Sequence, residues 1–130
     1  MDYRHVNLAE LDDQAANIGF DPEQINIRFG RVPLDCEHCG VSYLRLGPDA
    51  KAHGHRHKRQ EEIYVLVHGS ARMKVGDDEI DLEPWSAVRV PPHVMRGIKS
   101  GAEGAEVIAI GAPNTGPGDG DAPDPSWRWD

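Results

Sequence analysis

Basic residues are scarce in this sequence, with 14 Lys and Arg against 22 Asp and Glu and a formal net charge of -8. Affinity for phosphate chains comes from clustered Lys and Arg, so no nucleic-acid partner is expected. The one basic cluster, Arg56, Lys58 and Arg59, is too short to reverse the overall sign; it reads as a solvated loop that can also steer an anionic ligand. Long apolar runs are missing as well, which leaves nothing of transmembrane length and no expected membrane partner. The N-terminus lacks a basic region followed by an apolar stretch, so no secretory leader is expected and the default location is cytoplasmic. Cysteine is limited to Cys36 and Cys39. A lone Cys-x-x-Cys lacks the second ligand pair of a structural zinc site and the strand-to-helix setting of a thioredoxin-like motif. It reads as a hairpin turn that carries two thiols, with His38 the only neighbour favouring metal.

Aromatic residues are few, at 6%, whereas glycine (14) and proline (10) punctuate short apolar runs throughout. That pattern suits an all-β barrel or sandwich, and 130 residues make one domain with a real core. Residues 1–23 read as an N-terminal segment with a short helix, N-capped by Asn7 with Glu10 as its capping-box partner. Residues 24–111 read as the barrel. Its expected strands cover residues 24–32, 41–46, 62–67, 71–75, 79–82, 85–90, 94–98 and 107–110, with a hairpin at 76–78 and a turn at 101–104. Residues 112–130 form a Gly/Pro/Asp-rich tail, expected to be poorly ordered by itself, that ends in Trp127-Arg128-Trp129. Two tryptophans there suggest docking on the chain's own barrel or on a partner subunit.

The most informative stretch is His53-Gly54-His55-Arg56-His57-Lys58-Arg59-Gln60-Glu61-Glu62-Ile63-Tyr64, a loop running into the strand 62–67. Where the backbone is extended, residues two apart point the same way, so His53, His55 and His57 share a face, and Glu62, Tyr64 and Leu66 form one row of the next strand. Neutral imidazoles and a carboxylate are the usual nitrogen and oxygen ligands of a divalent transition metal. Three of them with open positions make a reactive site rather than a closed structural one. His53 reads as a rim residue, His68 as a strand-end residue with a pocket role open, and Tyr64, Met73 and Trp85 as barrel lining or core.

The spacing His55-x-His57, four residues, Glu62, six residues, Gly69 resembles the first motif of the cupin superfamily. Residues Pro84 to Arg96, with Pro91-Pro92-His93, resemble the second. The resemblance covers about residues 40 to 111 and implies a cupin-type antiparallel β-barrel (a jelly roll, or double-stranded β-helix) with His55, His57 and Glu62 as ligands of Fe, Mn, Ni or Zn. Two positions depart from the family pattern. His93 stands where a turn glycine is usual, and Arg96 where a fourth metal-binding His is usual. A guanidinium has no lone pair to give. Near a dication it is also repulsive, by roughly 7 kcal/mol before screening at about 5 Å and an effective dielectric of about 20. Arg96 therefore swings away, pairs with an anionic ligand that also meets the metal, or holds Glu62 in a metal-free site.

Two functions of different classes follow. One is a metal-dependent enzyme, an isomerase or oxygenase, acting on a small carboxylate-bearing molecule contacted by Arg96, His53 and Tyr64. The other is a metal-free cupin that binds a small anion without chemistry. No catalytic residue is assigned, since fold alone cannot choose among the activities cupins host. A homodimer is expected, formed through the edge strand 24–32.

Overall fold

The structure is a computed structural model that describes residues 1–116 and 119–121; of His53 and Asp121 only the backbone is described. Among these residues the chain is almost entirely antiparallel β-sheet, in eight strands: β1 Ile25–Phe29, β2 Gly40–Leu46, β3 Lys51–His57, β4 Glu61–Val75, β5 Asp78–Leu82, β6 Ala87–Val90, β7 Arg96–Ala112 and β8 Gly120–Asp121. Helix is confined to two single 3-10 turns, Leu8–Glu10 and Ala15–Ile18. Asn7 caps the first of them by accepting the Ala9 N–H on Oδ1 at 2.9 Å. No helix among the described residues is long and apolar enough to cross a membrane.

Two long strands organise the whole. β4 and β7 run antiparallel over nearly their full lengths, and each serves two half-sheets. The first half-sheet runs β1-β2-β7-β4-β6, using β7 residues 105–111 and β4 residues 62–65. The second runs β8-β3-β7-β4-β5, using β7 residues 96–99 and β4 residues 71–75. The result is a jelly roll whose sheet does not close into a continuous barrel. Between the halves both long strands bend at irregularities near Leu66/His68 and Gly69/Ala71. Gly69 and Gly104 face each other there with φ of +87° and +77°, a backbone region that side chains with a Cβ rarely enter.

This bend explains why the sequence suggests more strands than exist. Residues 62–67 and 71–75 form one strand, as do 94–98 and 107–110. The glycine-rich stretch 101–104 bends β7 instead of reversing it, because both flanks keep their partners on β4. The edge strand is shorter than the expected 24–32, ending at Phe29, where residues 31–35 begin a turn. The His stretch, expected as a loop, is strand β3: Ala52 and His55 pair with Ile98 and Arg96 on one side, and Arg56 and His57 with β8 on the other.

Alternation along β4 buries Tyr64, Leu66, Ala71 and Met73, which join Ile25, Ile27, Leu44, Leu46, Val90, Ile98 and Val107 between the half-sheets. Met73 and Tyr64 are therefore core, as the alternation implies. Trp85 is not: it lies in the turn before β6 at φ +74° and is 74% exposed, its N–H bonded to the Leu66 carbonyl and its ring thrown outward. A second exception lies at the end of the chain. The segment after residue 112, expected to have little to bury, places Asp119 at 8% exposure and adds β8 to the edge of β3. Trp127 and Trp129 lie outside the described residues.

Candidate metal centre

The turn at residues 58–60 carries the chain from the second half-sheet to the first, so β3 and the start of β4 face one another across the open end of the roll. His55 and His57 leave β3 on the same face, with ring centroids 5.1 Å apart in an edge-to-face arrangement. Glu62 and Tyr64 approach from β4, and Arg96 enters from the first residue of β7, directly across from His55. The expected set of His55, His57, Glu62, Tyr64 and Arg96 thus meets in one place.

Glu62 Oε1 is the focal atom. It lies 3.3 Å from His55 Nε2, 3.0 Å from His57 Nε2 and 3.1 Å from an Arg96 terminal nitrogen, and it accepts the Tyr64 hydroxyl at 2.6 Å. Arg96 is 1% exposed and donates its other terminal nitrogen to the Pro91 carbonyl at 3.1 Å; its Nε is buried without a partner. Burial by itself would raise the Glu62 pKa, yet hydrogen bonds from His55, His57 and Tyr64, with the charge of His55, hold it far below the usual carboxylate range. Burial likewise pushes His57 down, but its hydrogen bond to Glu62 and the Glu62 charge outweigh that and leave it raised. Burial, reinforced by Glu62, pushes the Tyr64 hydroxyl well above its ordinary value, so it stays protonated and acts as a donor.

The donor set fits a divalent metal. The three ligand atoms of His55, His57 and Glu62 lie within 4.8 Å of one another, and no other such group of His, Cys, Asp and Glu occurs among the described residues. Two ligands each about 2.1 Å from a metal stand about 3.0 Å apart at right angles and about 3.4 Å apart at the tetrahedral angle, a range that holds the His57–Glu62 and His55–Glu62 spacings of 3.0 and 3.3 Å. Among the other histidines, the side chain of His53 lies outside the described residues. His93 has an exposed side chain and φ of +72°, the left-handed conformation for which the turn glycine is usual, and its N–H bonds the His57 carbonyl at 2.7 Å. His68 is 77% exposed and 3.8 Å from Glu106, away from the centre. Cys36 and Cys39 are free thiols in the loop before β2.

One participant escapes the sequence reading. Asp119 Oδ2 sits 3.1 Å from His57 Nδ1, on the side of the ring opposite Glu62. An aspartate in a Gly/Pro/Asp tract carries no local signal for this; only the β3–β8 pairing brings it to the ring.

No protein-family model matches the chain, and no curated protein does. Solved structures do match. A cupin protein from Bacteroides fragilis superposes with a TM-score of 0.70 at 19% identity, covering 99% of each chain. KdgF from Halomonas sp. matches with a TM-score of 0.63 at 18% identity, over 87% of this chain and 86% of that one. Oxalate decarboxylase from Bacillus subtilis, a protein described as having Mn(II) centres, gives 0.73 at 18% identity; 91% of this chain aligns, but only 33% of that longer chain. The chain folds as a small cupin domain.

Proposed function

We propose that the protein binds one divalent transition metal, of the Fe, Mn, Ni or Zn group, through His55 Nε2, His57 Nε2 and a Glu62 carboxylate oxygen, and with it a small carboxylate-bearing anion. The observation that carries this reading is the convergence of two imidazole nitrogens and one carboxylate oxygen at ligand-to-ligand spacing. Charge supports the second half. With neutral imidazoles, a dication, Arg96 and Glu62 sum to two positive charges in a mostly buried site, which favours an anion in the open coordination positions. Arg96 contributes by charge and by anchoring Glu62, and each terminal nitrogen, with one bond to the protein, keeps a second N–H that can meet the anion. Tyr64 orients the carboxylate. A metal so held supplies Lewis acidity to a coordinated carboxylate, the chemistry an isomerase or oxygenase of such a ligand would draw on.

A second reading, a metal-free anion-binding cupin, is favoured by one contact: the guanidinium already neutralises Glu62 directly. Elemental analysis of untagged protein separates the two. About one metal per chain, lost in His57→Ala, is the expected result; metal-free protein that still binds small carboxylates overturns it. The same reading includes the homodimer expected through residues 24–32, but not by continuing the sheet at β1, because the Ile25 and Ile27 N–H groups already bond Asp21 and Asp13 and the Ile27 carbonyl accepts from Gln14. Sedimentation of only a 14.3 kDa species at micromolar concentration would count against the dimer.

A further inference from the structure

Asp119 makes an unusual number of bonds for a residue in a stretch with so little apolar content. Its backbone carbonyl accepts the Lys58 N–H at 3.0 Å, Oδ1 accepts the Arg59 N–H at 3.0 Å, and Oδ2 accepts the Gln60 N–H at 3.2 Å while facing His57 Nδ1 at 3.1 Å. The whole turn between β3 and β4 is thereby wrapped around one residue. Gly120 and Asp121 then pair with His57 and Arg56. Upstream, Gln60 Nε2 donates to the Pro113 carbonyl at 3.0 Å and Arg31 to Asn114 at 2.7 Å. The attachment of this C-terminal strap is polar, and its central bond is to a residue of the candidate centre.

We propose that docking of the strap at residues 119–121 and metal binding at His57 are one linked equilibrium, joined through Asp119. The proposal rests on the metal-binding reading above and adds to it a positioning residue and a segment whose attachment the metal controls. By accepting from Nδ1–H, Asp119 fixes the ring so that Nε2 is the nitrogen turned to Glu62; there Nε2–H donates to the carboxylate in the metal-free site and gives up that proton to offer its lone pair to a metal. Relative to the neutral ring, a metal on Nε2 withdraws electron density and makes Nδ1–H a stronger donor, which tightens the hold on Asp119. Coupling of this kind is reciprocal, so whatever factor the docked strap adds to metal affinity, the bound metal adds to strap docking.

The test uses the full chain with zinc alone as the probe. In Asp119→Asn an acceptor oxygen remains for a backbone N–H while the charge and the second acceptor are lost. Zinc affinity is expected to fall about 10- to 100-fold, the usual effect of losing the carboxylate behind a ligating imidazole. In the zinc-bound protein the Nδ1 shift of His57 should move toward that of an N–H without a carboxylate partner, which a purely structural role for Asp119 would not require. In the wild-type protein, zinc should slow amide exchange at Arg59 and Gln60 by a comparable factor. Zinc affinity of the variant within twofold of wild type overturns the linkage and leaves the metal-binding reading standing, as does exchange at Arg59 and Gln60 that ignores saturating zinc. Should the variant not fold, that exchange measurement decides alone. If the wild-type chain takes up no zinc, the metal-binding reading fails and carries the linkage with it.

Discussion

Arg96 and Glu62 meet across the open end of the roll, terminal nitrogen to carboxylate oxygen at 3.1 Å, with side chains 1% and 14% exposed. The carboxylate is therefore shared between a fixed cation and the two imidazoles. Removing the cation changes metal affinity and metal-free stability in opposite directions.

Arg96→His adds a third imidazole as a fourth ligand and deletes a positive charge beside the metal position. Metal affinity should rise at least about tenfold, since each 1.4 kcal/mol of relieved repulsion or added ligation is a factor of ten. Without metal the same change leaves Glu62 half-paired and lowers stability by about 1–3 kcal/mol. Calorimetric titration and a thermal melt of the metal-free protein check the two signs. Weaker metal binding by the variant would remove Arg96 from this role.

Acid should act on the centre in two stages. The folded pKa of His57 is raised above the ordinary 6.5, so protons compete with metal for Nε2, and affinity should fall as pH drops through that raised value. In metal-free protein the sign for Glu62 is that of a depressed carboxylate. Its stabilisation is present above about pH 4.5 and lost as pH falls below that value, while that of His57 is present below 6.5 and lost as pH rises through its raised value. Melting temperature against pH for wild type and Glu62→Gln measures this; an acid limb unchanged by the substitution would refute it.

Asp13 ties the N-terminal segment to the edge strand. Its Oδ1 accepts the N–H groups of Ala15 and Ile27 at 3.0 and 2.9 Å, and Oδ2 accepts from Asn26 at 2.9 Å. Asp13→Ala should cost about 1–2 kcal/mol in chemical denaturation, and Asp13→Asn less.

Gly69→Ala should be more damaging, at about 3 kcal/mol, because a Cβ at φ +87° runs into the Gly104 carbonyl across the bend of the two long strands. A denaturation midpoint within error of wild type would show that the bend relaxes freely.

Much of the centre was legible because its information is local. His55 and His57 are two residues apart on an extended segment, and Glu62 and Tyr64 share a row of the next strand; period-two geometry suffices to group each pair. The alternation of β4 likewise pointed to Tyr64 and Met73 as core. Strand ends were legible only where a turn truly reverses the chain, as at residues 76–77. Glycine-rich stretches that only bend it, as at residues 101–104, look the same in sequence, and the difference lies in whether both flanks keep one partner strand.

By itself, then, the sequence determined an all-β fold, the pairing of alternating rows and the kind of ligand atoms gathered near residue 60, since each depends on spacing along a few residues. Tertiary structure alone decided that Trp85 faces solvent, that Arg96 is buried against Glu62 with both terminal nitrogens engaged, and that Asp119 stands behind His57. Those outcomes rest on strands distant in the chain, β3 against β7 and β8 against β3. Their register is set by the bend shared by the two long strands and by the bonds that wrap the turn at residues 58–60 around Asp119, and no local pattern encodes it.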